Sequence, residues 1–241
     1  MIRSDARDKI IFALDVDTLD QIDHWAKLLS SSVGMFKVGK ELFTSCGPEA
    51  VQTVLRHGGQ VFLDLKYHDI PNTVAQAMVA AGRMGVRLTN LHALGGPAMM
   101  EAAANEVHRV FSEQDRPRLL AVTILTSSTA ETLQAVGIDH PVEEMVVRLA
   151  MLAQQSGMDG VVASPLEIKA IRAACGPDFL IVTPGVRPSF ASLDDQKRVM
   201  TPSEAVQEGA NYLVIGRPIA KADDPLQAAQ MIIDEIVSGA R

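Results

Sequence analysis

The sequence predicts an α/β protein with a single (β/α)8-barrel (TIM-barrel) domain, and three observations support this expectation. The chain has 241 residues, close to the roughly 250 that are typical of such barrels. Short apolar segments alternate with amphipathic segments from end to end, as in strands that are each followed by a crossover helix. No linker, low-complexity tract or shift in composition divides the chain, so we expect one catalytic domain over residues 1–241.

Eight apolar segments are the predicted strands. Several of them are almost continuously apolar, which is expected of parallel strands that are covered on both faces. In chain order they comprise residues 9–16, 34–38, 60–66, 87–92, 119–125, 160–163, 179–183 and 212–215. The charged residues 1–9 are expected to lead straight into the first strand.

Amphipathic segments between these strands are the predicted helices. They span residues 19–29, 49–57, 73–84, 98–111, 142–155, 165–174, 203–208 and 225–236. Asp17 or Thr18 precedes the first helix, Asn72 the third, and Thr201-Pro202 the seventh, as helix-start residues do. Eight such units favour a closed barrel, although the pattern is also compatible with an open doubly wound sheet. No Gly-x-Gly-x-x-Gly sequence opens the first helix, which argues against a dinucleotide-binding sheet.

Composition narrows the class of protein. The net charge of −7 argues against nucleic-acid binding, which usually requires a basic stripe, but a few local cations can still bind a small anion. The two cysteines, Cys46 and Cys175, lie far apart and outside metal or redox spacings, which favours a reduced compartment. We find no secretory leader and no apolar run long enough to cross a membrane, and therefore expect a cytoplasmic protein without a membrane partner.

The strongest chemical signal is the group Asp64, Lys66 and Asp69 at the end of the third apolar segment. Since side chains alternate along a strand, Asp64 and Lys66 share one face. In a barrel this is the interior face, at the carboxyl end where catalytic residues lie. We therefore predict a proton donor beside carboxylates that keep it charged. The alternative is a structural ion pair, but buried ion pairs cost free energy relative to apolar packing.

Further polar residues follow other strands. Asp15 ends the first apolar segment and Lys37 the second, so that Asp and Lys residues are expected to alternate around the barrel mouth. Either residue alone would be typical of a solvated strand end. Thr126 and Ser127, near the end of the fifth segment, can hydrogen-bond a ring amide or their own backbone. No cluster of His, Asp and Glu has the spacing of metal ligands, so we predict no metal.

A phosphate site is predicted where two glycine–arginine pairs follow the last two strands. Gly185 and Arg187 follow the seventh strand, and Gly216 and Arg217 follow the eighth. In TIM barrels the loops after these strands often bind phosphate, since glycine admits backbone N–H groups and arginine offers a two-pronged donor. A capping glycine beside a surface arginine is the alternative for either pair alone. The long connection over residues 184–200 is also expected to be functional.

Together these motifs resemble those of the orotidine 5'-phosphate decarboxylase family in its bacterial form. The resemblance extends over nearly the whole chain and departs from the family pattern at no motif position. Its most specific part is the Asp-x-Lys-x-x-Asp sequence of residues 64–69, followed by Pro71-Asn72-Thr73. Further matching segments are residues 36–41, 125–127, 182–188 and 214–218.

The resemblance implies decarboxylation of orotidine 5'-phosphate to UMP in pyrimidine biosynthesis, without a cofactor or metal. Lys66 would protonate C6 as carbon dioxide leaves, and Asp64 would lie beside the substrate carboxylate. Lys37 would bridge the charged network and the ribose, and Asp15 would bind a ribose hydroxyl.

The resemblance also implies how the rest of the substrate is bound. Thr126 and Ser127 would border the pyrimidine. The enzyme would be a homodimer in which Asp69 and Thr73 reach into the partner's site. The phosphate would be held by Arg187, Gln196, Gly216 and Arg217, with Gln196 on a lid formed by the long loop.

Two alternatives stay open at this point. A related barrel family decarboxylates or condenses keto-sugar phosphates with magnesium and shares the Asp-x-Lys-x-x-Asp sequence. Its second strand carries a metal-binding glutamate where this chain has Lys37, and a lysine there disfavours a cation. The other alternative is a non-catalytic barrel that binds a nucleotide, which we would expect to lack one of the charged residues.

Overall fold

Eight parallel strands form a closed barrel in the computed structural model, which describes residues 1–190 and 200–239. Each strand pairs with the next along the chain, and the last pairs with the first. The (β/α)8 barrel is therefore confirmed, and the open doubly wound sheet is wrong. The strands are β1 Ile10–Leu14, β2 Met35–Gly39, β3 Val61–Tyr67, β4 Leu88–His92, β5 Arg118–Val122, β6 Gly160–Val162, β7 Leu180–Pro184 and β8 Tyr212–Ile215.

Helices surround the barrel, and all eight predicted helices are present among the described residues. Thr18 and Thr201 each accept the N–H three residues ahead in a capping box, as predicted for helix starts. The described helices are α1 Arg3–Asp8, α2 Leu19–Leu29, α3 Lys40–Cys46, α4 Glu49–Arg56, α5 Pro71–Arg83, α6 Pro97–Val110, α7 Ala130–Ala135, α8 Val142–Gln155, α9 Ile168–Cys175, α10 Pro202–Gln207, α11 Arg217–Ala220 and α12 Pro225–Gly239.

Two predictions about local structure were wrong. Residues 3–8 form helix α1 instead of leading straight into β1, because Ala6 is buried and Arg3 bonds to Asp234 of α12. Helix α5 begins at Pro71 and not after Asn72. Proline suits the first helical position because it has no N–H to satisfy and its φ is already helical.

The barrel interior is filled by an apolar cluster. Because side chains alternate, the residue two positions beyond each inner residue also points inward, nearer the carboxyl end. On the first four strands these next residues are polar, namely Asp15, Lys37, Asp64 and Asn90. The apolar residues beneath them and across the barrel are Ile11, Ala13, Met35, Phe62, Leu88, Leu120, Val182 and Val214.

No helix in the described ranges is both long and apolar enough to cross a membrane.

A half-buried acid, Glu167, shapes the turn that follows β6. Glu167 accepts the N–H of Ser164 at 2.9 Å, completing a capping box. The pKa of Glu167 is raised to about 7, chiefly by burial and to a lesser extent by nearby Glu143, while the hydrogen bond from Ser164 lowers it. The folded protein therefore binds more protons here than the unfolded chain between the ordinary glutamate pKa and about pH 7, so stability falls as pH rises through that window.

This titration predicts a pH-dependent effect of Glu167→Gln, which keeps an acceptor for Ser164 and removes the charge. Relative to the variant, the wild type should lose on the order of 1–3 kcal/mol of unfolding free energy between about pH 5 and about pH 8. Denaturant unfolding at both pH values measures this difference. Glu204→Gln is the matched control, since Glu204 closes the same type of box with Thr201 and its pKa is lowered. Parallel pH dependence in the two variants would contradict the prediction.

Candidate active site

A continuous set of opposite charges lies at the carboxyl end of β1, β2 and β3. The ammonium Nζ of Lys66 lies 2.6 Å from Asp64 Oδ1. Lys37 Nζ lies 3.9 Å from Asp64 Oδ2 and 3.6 Å from Asp15 Oδ1. Lysine and aspartate therefore alternate in the order Asp15, Lys37, Asp64, Lys66, which we call the charge relay.

Asp64 is the buried centre of this charge relay, with its side chain only 12% exposed. Burial alone would raise the pKa of Asp64, because it penalises the charged form. The Lys66 and Lys37 ammoniums, with hydrogen bonds from Lys66 and Asn90, outweigh burial and hold the pKa below its ordinary value. Asp64 is therefore a carboxylate at neutral pH, and it fixes a negative charge inside the barrel mouth.

The backbone of β3 is irregular where it carries Lys66. Lys66 has a φ of 53°, the single positive φ at a non-glycine residue within the described chain. For an L-residue this conformation costs roughly 1–2 kcal/mol. The register of β3 against β4 also shifts between Leu63 and Tyr67. Bulges of this kind redirect side chains next to active sites.

Asn90 contacts both ends of this irregular segment, and the sequence analysis missed it. Its Oδ1 accepts the Lys66 backbone N–H at 2.8 Å, and its Nδ2 donates to Asp64 Oδ1 at 2.7 Å. The available signal was a lone amide in an apolar strand, at the inward position two residues beyond Leu88. It went unused because an amide carries no charge and belonged to no motif.

The charge relay borders a cavity of about 220 Å³ in the barrel mouth. Lys37, Asp64 and Lys66 form one wall, and Phe62 forms part of the lining beneath them. The opposite wall is apolar and comes from the other half of the barrel. It consists of Val122, Ile124, Leu125, Val162, Ala163, Pro184 and Val214. A planar ring with one reactive, charged edge would fit this combination of walls.

A larger groove of about 770 Å³ runs along the outer face of α8. It is lined by residues between Pro141 and Gln155 and contains none of the predicted site residues. The smaller cavity is the candidate active site, because it combines enclosure with the charge relay and lies at the carboxyl end of the strands.

The polar residues after β5 occupy different environments. Thr126 lines the cavity, whereas Ser127 is exposed and is not among the cavity-lining residues. The hydroxyl of Thr123 donates to the carbonyl of Val162 at 3.3 Å, so it satisfies neighbouring backbone. Thr126 is thus the hydroxyl of this loop that is placed to meet a ligand.

Asp69 and Thr73 lie outside the charge relay of their own chain. Both are exposed, and the Asp69 carboxylate accepts the adjacent Ile70 N–H at 2.6 Å. Ile70, 68% exposed, and Leu94, 47% exposed, follow neighbouring strands on the same rim. The rim beside Asp69 is therefore partly apolar.

The predicted phosphate residues follow β7 and β8. Arg187 is buried, and its guanidinium donates to the Val186 carbonyl at 3.2 Å. Arg217 is exposed and is the first residue of α11. A Cβ at Gly216 would lie 3.2 Å from Asp15 Oδ2, so glycine leaves room beside the charge relay. Gln196 lies outside the described residues.

The donor set of the site does not suit a metal ion. Among residues 1–190 and 200–239, no group of three His, Cys, Asp or Glu side chains is arranged to hold one. The Lys37 ammonium lies between the Asp15 and Asp64 carboxylates, where it supplies the positive charge that a cation would otherwise bring. A lysine cannot share that position with a divalent ion without strong repulsion.

The chain is similar to known proteins over almost its entire length. Residues 8–232 match the Orotidine 5'-phosphate decarboxylase / HUMPS family. Orotidine 5'-phosphate decarboxylase from Trichlorobacter lovleyi is 77% identical over 99% of both chains, and the protein of that name from Pelobacter propionicus is 76% identical over 99% of both. A crystal structure of orotidine 5'-phosphate decarboxylase from Lactobacillus acidophilus matches with a TM-score of 0.83 and 39% identity, covering 94% of this chain and 98% of the other.

Proposed function

This chain belongs to the orotidine 5'-phosphate decarboxylase / HUMPS family, and we propose that it converts orotidine 5'-phosphate to UMP in the cytoplasm, with Lys66 as the proton donor. The enzyme is a carbon–carbon lyase of pyrimidine biosynthesis. The observation that carries the proposal for the site is the Lys66 ammonium, held 2.6 Å from Asp64 at the wall of the cavity.

Lys66 answers the main chemical difficulty of the reaction. When the bond between C6 and the carboxylate breaks, carbon dioxide leaves and the electron pair stays on C6, where no adjacent π-system is aligned to accept it. A fixed ammonium next to C6 stabilises this developing charge and then supplies the proton that forms the new C6–H bond. Because Asp64 fixes the ammonium in the free enzyme, little reorganisation is needed during the reaction.

The rest of the charge relay positions the substrate. Asp64 lies beside the substrate carboxylate, which the reaction removes as neutral carbon dioxide, so their repulsion is relieved as the bond to C6 breaks. Lys37 links the Asp64 and Asp15 carboxylates and faces the ribose. The Asp15 carboxylate accepts a hydrogen bond from a ribose hydroxyl. Thr126, which lines the cavity, borders the pyrimidine with Ser127 next to it in the chain, and the apolar wall formed by β5–β8 packs against the ring.

The phosphate binds at the ends of β7 and β8, through Arg187, Gln196, Gly216 and Arg217. Two arginines offer charge-assisted hydrogen bonds, and Gly216 permits a close approach of the backbone. This contact is remote from C6, so its binding energy can be used to position the reacting part of the substrate and to exclude water from it. Gln196 lies outside the described residues, and the family resemblance alone assigns it to the phosphate.

A homodimer completes each site, with Asp69 and Thr73 contributed by the partner subunit. Support comes from the exposure of both residues and from the ion pairs of the described residues, in which Asp69 does not join Lys37 or Lys66 of its own chain. The exposed Ile70 and Leu94 offer apolar surface for the interface on the same rim. A second carboxylate from the partner beside Lys66 would continue the alternation of charges.

The family also includes enzymes that act on keto-sugar phosphates, and Lys37 argues against that activity here. Magnesium requires oxygen ligands, whereas Lys37 lies within 3.9 Å of both carboxylates that could provide them. A non-catalytic nucleotide-binding barrel is disfavoured because the complete charge relay is retained.

The proposed function is tested by following the ultraviolet absorbance of orotidine 5'-phosphate with the purified protein in the presence of EDTA. We expect rapid conversion to UMP, because no step requires a metal. Absence of turnover by the folded protein would contradict decarboxylation. Magnesium-dependent turnover of a keto-sugar phosphate would instead establish the alternative activity.

A further inference from the structure

We propose that Asn90 is a positioning residue for decarboxylation, which holds the Lys66 backbone in its left-handed conformation and orients Asp64 so that the Lys66 ammonium faces the cavity. The inference rests on the proposed function, since it assigns the geometry that the proton donor needs. Asn90 itself does not line the cavity, whereas Asp64 and Lys66 do.

The pairing between β3 and β4 is irregular around Asn90. Leu63 pairs with Thr89 and Tyr67 pairs with Leu91, so residues 64–66 of β3 lie opposite Asn90 alone. A regular ladder cannot satisfy the backbone of three residues with one partner residue. The Asn90 side chain addresses this mismatch, since its Oδ1 accepts the Lys66 N–H inside the irregular stretch.

One amide, that of Asn90, contacts both charged residues of β3. Asn90 Nδ2 donates to Asp64 Oδ1 at 2.7 Å, and this same oxygen accepts from Lys66 Nζ at 2.6 Å. Asn90 therefore fixes the carboxylate that in turn fixes the ammonium. Only a side chain with an acceptor and a donor at one end can make both bonds, and asparagine provides them.

The Asn90 amide is also shielded from solvent. Asn90 is 0% exposed, and the residue paired with it on β5 is Leu120, which is also fully buried. Bulk water therefore does not compete for the two hydrogen bonds of the amide. If the amide is removed, the left-handed conformation of Lys66 would lose the bond that holds it, and the β3 backbone would relax toward a regular strand that aims the ammonium elsewhere.

The direct test compares Asn90→Ala with Thr89→Val, the matched control. Thr89 is the adjacent buried polar residue of β4, but its hydroxyl contacts Met78 Sδ at 3.9 Å, away from the charge relay. We expect Asn90→Ala to lower kcat by about 10²-fold, since small displacements of catalytic groups have effects of this size. KM and the affinity for UMP should change by less than about threefold, because phosphate contacts supply most ground-state binding. Thr89→Val should leave kcat within about threefold of wild type despite losing stability.

A second variant distinguishes positioning from a general loss of stability. Asn90→Asp preserves the shape of the side chain, but an ionised carboxyl cannot donate to Asp64 and would repel it. The new carboxyl would face Asp64 and Lys66 on β3, with His92 two residues along β4, and burial beside Asp64 should raise its pKa. When protonated it can both accept and donate, so kcat relative to wild type should recover as pH falls. A defect that only lowers stability would not produce this recovery.

The outcomes separate the two proposals. If wild-type protein fails to decarboxylate orotidine 5'-phosphate, the proposed function fails. If wild type is active but Asn90→Ala retains a kcat within about threefold of Thr89→Val, the role of Asn90 is wrong. If Asn90→Ala does not fold, the test rests on Asn90→Asp. The inference would be overturned if the kcat of this variant, divided by the wild-type kcat, did not change with pH.

Discussion

Lys66→Ala is expected to lower kcat for orotidine 5'-phosphate by at least about 10⁴-fold, since general acids contribute about 10²–10⁴ and preorganised charges about 10²–10³. Lys66 is assigned both roles, and no neighbouring residue can assume them. Lys37, the other lysine of the cavity, is held between Asp15 and Asp64. Single-turnover measurements of UMP formation provide the required sensitivity.

The fold should survive this substitution, because the Lys66 side chain lies at the cavity and Lys37 still balances the charge of Asp64. Retained UMP binding and an unchanged circular dichroism spectrum would show that the barrel is intact. Lys169→Ala is the control, since Lys169 lies on the outside of α9 and is paired with Glu208. A loss in Lys66→Ala of less than about tenfold would contradict its role as the proton donor.

Subunit mixing is expected to restore activity between two inactive variants, Lys66→Ala and Asp69→Ala. In a mixed dimer, one site contains both substitutions, while the other contains neither if Asp69 acts on the partner's site. Random exchange makes half of the dimers mixed, so about a quarter of wild-type activity should return. Activity of the mixture is measured after dilution, incubation and concentration, which allow subunits to exchange.

The control mixture combines Lys66→Ala with Lys37→Ala. Both residues belong to the charge relay of one chain, so every mixed dimer has two defective sites and no activity should return. If Lys66→Ala and Asp69→Ala also fail to complement each other in dimers shown to exchange, Asp69 acts within its own chain. Sedimentation of the wild type as a monomer would exclude the shared site altogether.

The cavity has one charged and one apolar wall, and this division lets the same site stabilise charge and pack against an apolar ring. The charge relay lies on β1–β3, whereas the wall opposite is apolar and lined by residues of β5–β8 and their loops. Charges that face an apolar wall interact more strongly than charges in water, because the local dielectric is lower. The same apolar wall can pack against the ring of the substrate and exclude water from C6.

Periodicity and motifs in the sequence were sufficient to determine the barrel and most of the charge relay. Parallel strands buried on both faces produce apolar runs that are readable without tertiary information, and all eight were located. Alternation along β3 placed Asp64 and Lys66 on one face, and strand ends placed Asp15 and Lys37 on the same rim. Charged residues at the end of an apolar strand are conspicuous in the sequence, because burying an unpaired charge costs free energy.

Short elements could not be read in the same way. Helices α3, α7 and α11 have 7, 6 and 4 residues, too few for a helical period to be distinguished from a polar loop. Helix α1 was missed because a single buried residue, Ala6, anchors its apolar side. Its stability comes from packing against α12, which is more than 200 residues away in the sequence.

Only the tertiary structure decided how the charged residues are held. The register shift between β3 and β4, the positive φ of Lys66 and the two bonds from Asn90 depend on contacts between strands that are separated in sequence. Nothing in the sequence indicates which groups the Asn90 amide on β4 will contact. The sequence by itself thus determined which charged residues lie at the barrel mouth, because burial patterns are local in sequence. The fold decided the geometry of these residues, because hydrogen bonds across strands join residues that are distant in sequence.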